Sequence, residues 1–312
     1  MRPRTTIVIG ICAVVLLCAA AELGVIMHAP QIVHEQGTIE VIMCPECENK
    51  FLTLLRGGGD IECALYDYGS TTEQALRAAR ARVVTDDKDG GSYGKPIEQE
   101  GLMHNKFCIV NSSLVVTGSY NPTENGELNR NNMLIILSPT LAKNYAAQFA
   151  STESGLMRAR ITPIVNLSGV RVQNAFCPND DCEAQVNQVL LGAKREIVYM
   201  QFAFTSERLT RTLENAKARG IKVEGICDGG QWNTQGGKCS RLQARSWDLP
   251  NMMHHKVFIV DGKTVITGSY NPTNSGTFRN SENILVITDS AIAAEYRLEY
   301  EKALIESTIR RK

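Results

Sequence analysis

The sequence has no excess of charge of either sign. Its 312 residues include 33 Lys and Arg against 33 Asp and Glu, so the formal net charge is zero. Without residues 1–28, which contain Arg2, Arg4 and Glu22, 31 basic residues face 32 acidic residues, a net charge of −1. Such a chain creates no global basic field for holding nucleic acid, which disfavours a nucleic-acid partner. The overall composition does not exclude a local basic groove.

The sequence also lacks a hydrophobic run that clearly reaches the length of a membrane span. Residues 7–21 carry no charge, but a spanning helix needs about 20 apolar residues. Arg2 and Arg4 precede this run, as in the charged and apolar regions of a secretory signal. Residues 1–28 are therefore predicted as a cleaved signal peptide or a retained signal anchor, the latter holding the chain to a membrane through residues 7–27. Both alternatives place the later residues outside the cytoplasm, membrane-anchored or secreted.

Ten cysteines are present, and two of them fall within the apolar N-terminal run. The other eight form an even set, which in an exported chain favours disulfides. CPEC at 44–47 alone also fits a redox pair or half of a zinc site, and its counterpart in the second half reads CPNDDC at 177–182. Because the spacing differs between the copies, we favour structural disulfides. Cys227 and Cys239 could close a further loop, although the sequence does not fix the pairing.

The chain is built from two similar halves. Residues 38–47 and 170–182 each read as an alternating strand and a proline turn, followed by a helix, a strand, an amphipathic helix and another strand. Both halves end on a strand and a long helical pattern. This order predicts an α/β fold of two similar αβα sandwich halves with mostly parallel sheets, related by a pseudo-two-fold axis. We assign residues 29–38 to a linker, 39–160 to the first repeat and 161–312 to the second, and expect a monomer because one chain holds both repeats.

One 21-residue stretch occurs in both halves. MHNKFCIVNSSLVVTGSYNPT at 103–123 and MHHKVFIVDGKTVITGSYNPT at 253–273 are identical at 13 positions. In the His-x-Lys of each copy, both side chains point to the same face of a strand, which places an imidazole beside a cation. Lysine, serine and asparagine donors suit an anionic phosphoryl group, and two copies supply a histidine for each side of a phosphodiester. The polar residues are His104, Lys106, Asn111, Ser119 and Asn121 in the first copy, and His254, Lys256, Asp261, Ser269 and Asn271 in the second.

The pattern His-x-Lys-x4-Asp-x6-Gly-Ser-x-Asn of the second copy resembles the HKD signature of the phospholipase D superfamily. RNSENILVI at 279–287 stands where that family has its next motif, and the resemblance covers about residues 39–305, nearest to the small nuclease and cardiolipin-hydrolase members. It implies the phospholipase D-like fold and a phosphodiesterase that uses a phosphohistidine and needs no metal or cofactor. One histidine attacks phosphorus, and the other protonates the leaving oxygen and then deprotonates water. The resemblance implies catalytic roles for His104, Lys106, Asn121, His254, Lys256 and Asn271, and supporting roles for Ser119, Ser269, Asp261, Glu282, Asn111 and Asn131.

The two copies differ at two acidic positions. Asp261 corresponds to Asn111, and Glu282 corresponds to Asn131. A carboxylate beside an imidazole fixes its tautomer and raises its basicity, so we expect the two histidines to titrate differently. The resemblance implies that Glu282 hydrogen-bonds a catalytic histidine, and it favours the first-copy histidine as nucleophile and the second-copy histidine as acid and base. The sequence does not decide which histidine Glu282 contacts.

The substrate class stays open between phospholipid and nucleic acid. Phospholipid is favoured by the predicted membrane tether, the lack of basic excess and apolar loop residues near the motif. A nuclease acting by the same mechanism is favoured by the small size and by a local basic group with aromatic side chains. A third alternative is a partly decayed binding protein whose first half braces the second. The apolar residues are Trp232, Trp247, Leu249, Met252 and Met253, and the nuclease residues are Lys238, Arg241, Arg245 and Arg279, with Tyr93 and Trp232.

Overall fold

The computed structural model describes residues 31–156, 164–232 and 237–309. The predicted export segment, residues 1–28, and the predicted boundary between residues 160 and 161 lie outside these ranges. Within them, no helix combines the length and the hydropathy that crossing a bilayer requires.

The first half alternates strands and helices in the predicted order. A strand leads into the CPEC turn, the signature forms a hairpin, and the half closes on the expected strand and long helix. The elements are β1 (Ile32–Glu35), β2 (Thr38–Met43), α1 (Cys47–Arg56), β3 (Ile61–Leu65), α2 (Ser70–Ala78), β4 (Arg82–Asp86), β5 (Lys95–Ile97), β6 (Lys106–Val110), β7 (Leu114–Gly118), α3 (Glu124–Leu128), β8 (Asn132–Leu137) and α4 (Pro139–Ser154).

The second half repeats this order, so the duplication seen in the sequence is also a duplication of structure. The longer connection that precedes its signature contains the short elements α7 and β13. The elements are β9 (Ile164–Leu167), β10 (Val170–Cys177), α5 (Cys182–Leu191), β11 (Glu196–Gln201), α6 (Glu207–Ala218), β12 (Lys222–Asp228), α7 (Lys238–Arg241), β13 (Arg245–Trp247), β14 (Lys256–Val260), β15 (Thr264–Gly268), α8 (Asn274–Phe278), β16 (Glu282–Thr288) and α9 (Ser290–Glu306).

Two mixed sheets form the framework. One has seven strands in the order β2-β8-β7-β6-β3-β4-β5, and the other has nine in the order β1-β9-β10-β16-β15-β14-β11-β12-β13. The predicted α/β fold in two similar halves is confirmed, but the prediction of mostly parallel sheets is wrong. Among the described strands, parallel pairing is limited to β3-β4-β5, β11-β12-β13 and β1-β9. The signature hairpins β6-β7 and β14-β15 lie in the middle of each sheet, and such short connections join only antiparallel neighbours.

The segment predicted as a linker contains a strand. β1 pairs in parallel with β9 of the second half, whereas β2 pairs with β8 of the first half. The chain passes from one sheet to the other at Gly37, whose backbone N–H donates to the Ser168 hydroxyl at 3.0 Å. The described part of residues 29–38 therefore ties the two halves together.

Helices α4 and α9 lie between the two sheets. Their buried side chains form one apolar cluster with the inner faces of both sheets. Tyr145 of α4, for example, packs edge-on against Phe107 of one sheet and Phe176 of the other, with ring centroids 5.0 Å apart in both pairs. Helices α1 and α2 cover the outer face of the first sheet, and α5 and α6 cover the outer face of the second. The two sandwiches thus share one central layer, which holds the halves together.

Four disulfides join the eight cysteines beyond the N-terminal run, as the structural interpretation expects. Cys63 and Cys108 face each other across the neighbouring strands β3 and β6. Cys227, near the end of β12, pairs with Cys239 of α7, which is the loop closure considered from the sequence.

The other two disulfides close the proline turns that follow β2 and β10. In the first of these turns, Cys44 and Cys47 lie close to Glu127, and these three side chains are the only grouping of potential metal ligands in the described part of the chain. Zinc binds cysteine as a thiolate, and the disulfide removes both thiolates. The pairing therefore favours a structural role for CPEC over a metal site.

We expect the disulfide between β3 and β6 to stabilise the fold more than the disulfide of the α7 loop. The two bridges span sequence separations of 45 and 12 residues. Loop-closure entropy then corresponds to about 4 and about 3 kcal/mol of unfolding free energy. Urea unfolding of Cys63→Ala/Cys108→Ala and of Cys227→Ala/Cys239→Ala, each against the unsubstituted chain, measures the difference. A reversed order would contradict this ranking.

Candidate active site

The histidine segment of the first copy is fixed by backbone contacts from two directions. The Met103 N–H donates to Asp86 Oδ2 at 2.9 Å, and Asp86 is the last residue of β4. The His104 N–H donates to the Ser281 carbonyl of the second half at 3.0 Å. The first-copy histidine is therefore positioned partly by the other half of the molecule.

The second copy shows the reciprocal arrangement. The Met253 N–H donates to Asp228 Oδ2 at 3.0 Å, and the His254 N–H donates to the Arg130 carbonyl of the first half at 3.0 Å. Reciprocal contacts of this kind follow from a pseudo-two-fold relation between the halves. Sequence reasoning missed the two aspartates, Asp86 and Asp228, although each ends a strand at an equivalent place in the repeat, in VVTDD and GICDGG.

The two imidazoles have different partners, and both partners come from the opposite half. His104 Nδ1 lies 2.8 Å from Glu282 Oε2, and His254 Nδ1 lies 2.9 Å from Asn131 Oδ1. The Asn131 oxygen faces the ring because its amide nitrogen donates to the Gly126 carbonyl at 2.8 Å. Both partner oxygens accept, so each Nδ1 carries the proton and each Nε2 keeps its lone pair. Glu282 thus contacts His104, a choice that the sequence left open.

The two signature serines hold these partners. Ser269 Oγ donates to Glu282 Oε2 at 2.6 Å, and Ser119 Oγ donates to Asn131 Oδ1 at 2.9 Å. A hydroxyl has one hydrogen, which these bonds use. The serines therefore support the histidine partners, and the expectation that they donate to a phosphoryl group is wrong.

Lys106 and Lys256 are buried beside the histidines. Lys106 Nζ donates to the His104 carbonyl at 2.9 Å, and Lys256 Nζ donates to the His254 carbonyl at 2.7 Å. Neither ammonium forms an ion pair with a carboxylate of the described ranges. Burial lowers the pKa of Lys106 to about 7 and holds the pKa of Lys256 well below its usual range. A bound anion would restore the charged form of both lysines.

Two aromatic rings that sequence reasoning missed line the same space. The Tyr66 ring lies 4.8 Å from the His104 ring and 4.8 Å from Lys106 Nζ. The Phe202 ring lies 4.9 Å from the His254 ring, and Lys256 Nζ lies 5.1 Å from it. Both residues directly follow the strand that pairs with the signature hairpin, β3 or β11, so repeat position was the available signal.

The imidazoles differ in their electrostatic surroundings. Burial lowers the pKa of His104, and the Glu282 carboxylate partly offsets that effect. Burial also holds the pKa of His254 well below its usual range, and the nearby Lys256, Lys106 and His104 lower it further. Groups from both copies therefore act on His254, and each imidazole contacts a residue of the opposite half, so the four side chains lie at the junction between the halves. The pKa of both histidines is lowered, and that of His254 is lowered more strongly, which agrees with the predicted difference in titration.

Asn121 and Asn271 follow the two serines at the same end of the sheets. Their side-chain oxygens are buried and accept no hydrogen bond from any residue of the described ranges. Their role as donors to a phosphoryl group stays a prediction.

Asp261 and Asn111 do not lie beside the imidazoles. Asp261 lies in the hairpin turn at the far end of β14 with a φ angle of 56°, and Asn111 lies in the equivalent turn after β6 with a φ angle of 51°. A five-residue strand separates Asp261 from the histidine segment, a length of about 16 Å at 3.3 Å per residue. Asn111 accepts the Asp60 N–H at 3.0 Å. The expectation that this pair tunes an imidazole is therefore wrong.

The Asp261 carboxylate instead caps the start of β11. It accepts the backbone N–H groups of Lys194, Arg195 and Glu196 at 2.9, 2.7 and 3.0 Å. Burial opposes ionisation of this carboxyl, but these amides and the Arg195 side chain outweigh it and lower its pKa. Asp261 is thus a turn residue, and a short polar side chain is what its left-handed backbone tolerates.

A family described as "Cardiolipin synthase, PLD-like domain" matches residues 24–152 and 186–304, more than half of the chain. The chain belongs to the phospholipase D superfamily. The resemblance found in the motifs is confirmed, and this phospholipase D-like chain is a phosphodiesterase of the hydrolase class.

Curated relatives match this phospholipase D-like chain over about the length of one repeat. A Rickettsia conorii protein named phospholipase D is 33% identical over 138 residues, which cover 43% of this chain and 69% of that protein. A Xenopus tropicalis protein named mitochondrial cardiolipin hydrolase is 32% identical over 139 residues, which cover 42% of this chain and 66% of that protein. The solved phosphatidylserine synthase of Haemophilus influenzae aligns over 87% of both chains with a TM-score of 0.66 and 12% identity, a likeness that shows the fold alone.

We expect Asp261→Ala to reduce stability without reducing turnover. Three backbone N–H groups lose their acceptor, which corresponds to about 2 kcal/mol of unfolding free energy. Because the folded-state pKa of Asp261 is lowered, this stabilisation is complete above the ordinary carboxyl range and is lost as the pH falls through the folded-state pKa. Urea unfolding at neutral and acidic pH measures it. The matched control is Asp261→Asn, which introduces the residue found at the equivalent position of the first half and should lose less stability. A large loss of kcat in either variant would instead show that Asp261 takes part in catalysis.

Proposed function

We propose that this chain hydrolyses phospholipid phosphodiesters without a metal ion, through a phosphohistidine on His104. The observation that carries the proposal is the pair of buried ammonium groups of Lys106 and Lys256, which have no acidic partner among the described residues and lie beside two imidazoles. Two such cations can neutralise the non-bridging oxygens of a phosphodiester, and the imidazoles supply nucleophile and acid.

His104 is the better nucleophile of the two histidines because its partner is anionic. When Nε2 attacks phosphorus, the P–N bond forms, the bond from phosphorus to the leaving oxygen breaks, and the ring becomes positively charged. Glu282 holds the Nδ1–H at 2.8 Å and stabilises that charge. Asn131 offers His254 only a neutral amide oxygen.

His254 then serves as acid and base. The anionic phosphodiester would offset the lysine charges that lower the pKa of His254, so substrate binding favours its protonated form. His254 gives this proton to the leaving alkoxide, and the neutral ring later takes a proton from the attacking water. Attack of that water breaks the P–N bond and restores neutral His104.

Phospholipid is favoured as the substrate by the names of the relatives, phospholipase D and mitochondrial cardiolipin hydrolase. The apolar loop residues that supported this choice divide into two groups. Trp247 and Met253 are buried in the central core and cannot contact a lipid, which corrects the earlier expectation. Leu249 and Met252 are exposed, and the fifth residue, Trp232, is partly buried against the apolar cluster on the outer face of the second sheet.

The basic group that favours a nuclease is largely occupied within the protein. Arg245 donates to the Ser307 hydroxyl at 2.7 Å, and Tyr93 donates to the Ala81 carbonyl at 2.8 Å, so this ring is a loop anchor. A backbone-binding groove needs free cations and rings. The remaining cations form the pairs Lys238–Glu207, Arg241–Glu207, Arg241–Glu214 and Arg279–Glu100.

We place the enzyme outside the cytoplasm, either anchored through residues 7–27 or secreted. The four disulfides support an oxidising compartment. Because each histidine takes its partner from the opposite half of the same chain, a monomer suffices to complete the site.

We expect Glu282→Gln to lower kcat by about 100-fold, because an amide accepts the Nδ1–H but does not stabilise a charged ring. Glu282 raises the pKa of His104, so the substitution lowers that pKa. Attack requires neutral His104, so the rate falls on the acid side of the pH profile as the pH drops through this pKa. In Glu282→Gln this acid limb of the profile should move to lower pH.

The matched variant is Asn131→Asp, which puts a carboxylate beside the other ring. It should raise the pKa of His254 and move the alkaline limb, which requires protonated His254, to higher pH. Profiles of kcat against pH at saturating substrate measure both limbs, because kcat reports the pKa values of the substrate complex, in which His254 is protonated. An acid limb that stays in place in Glu282→Gln would assign the nucleophile to His254.

We expect the purified chain to release the head group from labelled phosphatidyl lipid in EDTA and to leave single-stranded DNA intact. DNA cleavage without lipid turnover would favour the nuclease alternative. His104→Ala and His254→Ala should each reduce turnover by about 1,000-fold. Full turnover by His104→Ala would instead support a decayed first half, and no turnover of either substrate by the unsubstituted chain would support a binding protein.

A further inference from the structure

We infer that the active-site end of the molecule carries an apolar rim that docks on the surface of a phospholipid bilayer. The rim consists of Leu128, Leu249, Met252 and Phe278, whose exposed fractions are 68%, 42%, 39% and 66%. The inference rests on the proposed phospholipid substrate and specifies how the site reaches it.

Leu128 and Phe278 occupy equivalent places in the two halves. Leu128 ends α3, on the connection that runs from Ser119 to Asn131. Phe278 ends α8, on the connection that runs from Ser269 to Glu282. Both ends of each connection contact a histidine or its partner, so both apolar side chains lie at the active-site end of the sheets, one from each half.

Direct contacts join the rim to the histidine of the second copy. Asn251 Nδ2 donates to the Leu128 carbonyl at 2.9 Å, so the loop before the signature lies against the end of α3. The Arg130 N–H donates to the Met252 carbonyl at 2.9 Å, and the Arg130 carbonyl in turn accepts the His254 N–H at 3.0 Å. Leu128 and Met252 therefore flank the strand segment that carries His254.

The Phe278 side is built in the same way. The Leu102 N–H donates to Asn280 Oδ1 at 3.1 Å, and the Ser281 N–H donates to the Leu102 carbonyl at 2.9 Å. Ser281 then accepts the His104 N–H. The rim thus stands on both sides of the segments that hold the two histidines.

A bilayer is the occupant that fits these residues. Single exposed apolar side chains are common on protein surfaces, but a symmetric pair with two neighbours around an active site marks an interaction surface. A phosphodiester held by Lys106 and Lys256 belongs to a lipid whose acyl chains remain in the bilayer, so apolar side chains at the mouth would enter the same layer. A nucleic-acid backbone would need cations at these positions, and rim binding through apolar side chains should persist at high salt.

The first test compares turnover by two double variants of the full chain. Leu128→Ser/Phe278→Ser changes the rim, and Leu137→Ser/Leu191→Ser changes exposed leucines at the far end of the sheets. Both keep residues 1–28, so membrane binding through that segment is equal. We expect the ratio of turnover on phosphatidylcholine vesicles to turnover on a short-chain phosphatidylcholine below its micelle concentration to fall about tenfold in the rim variant, as expected when Leu and Phe burial is lost. The far-end variant should keep the ratio of the unsubstituted chain, and equal ratios in both variants would overturn the inference.

The second test reads contact with the bilayer directly. Phe278→Trp places a fluorophore in the rim and Leu191→Trp places one at the far end, over the same background of native tryptophans. With vesicles of phosphatidylcholine brominated on its acyl chains, emission from the rim position should be quenched and emission from the far end should not. Equal quenching at both positions would overturn the inference. If the unsubstituted chain cleaves DNA and neither lipid form, the proposed function fails, while the quenching result still decides whether the rim enters a bilayer.

Discussion

Two buried ammonium groups without acidic partners are the constraint on which the rest of this structure depends. Removing a charge from water costs several kcal/mol unless another charge compensates it. Within the described ranges, Lys106 and Lys256 donate to carbonyl oxygens and lie over the faces of Tyr66 and Phe202, and the nearby carboxylates of Glu282 and Asp228 offset only part of the effect of burial on the pKa of Lys256. Two lysine side chains in such surroundings suit an anionic group such as a phosphodiester.

The chemistry then depends on a small inequality between two nearly identical environments. Both imidazoles hold a proton on Nδ1 through a partner from the opposite half that a serine orients, and both keep Nε2 for the reaction. Only the partner differs, because Glu282 carries a charge and Asn131 does not. A positive charge on the His104 ring therefore has a carboxylate beside it, whereas a positive charge on the His254 ring has only a neutral amide oxygen.

Much of this arrangement could be predicted from the sequence because the repeat supplied an internal comparison. Periodic apolar residues located the strands and helices, and the duplicated His-x-Lys pairs located the site. Strand direction was mispredicted because the alternation of strands and helices was given more weight than the three-residue turns at 111–113 and 261–263, which can join only antiparallel strands. The role of Asp261 was misassigned because spacing along a chain does not reveal that a whole strand separates it from His254.

Contacts between the halves were also beyond prediction, since no local pattern states which half Glu282 faces. Trp247 and Met253 gave the same difficulty in another form. Trp247 ends the short strand β13 and Met253 directly precedes the histidine of the second copy, and the central layer buries both side chains. Burial there depends on helices α4 and α9, which are distant in the sequence. The rim residues Leu128 and Phe278 escaped notice because a single apolar residue at the end of a short helix has no distinctive pattern.

The exchange of histidine partners between the halves has a consequence for how such a site can specialise. Two separate, identical copies meeting on an exact symmetry axis would have to give both rings the same neighbour. Covalent fusion of the copies removes that restriction, because each can then acquire its own substitutions. The carboxylate at 282 and the amide at 131 are a difference that two copies related by exact symmetry could not have.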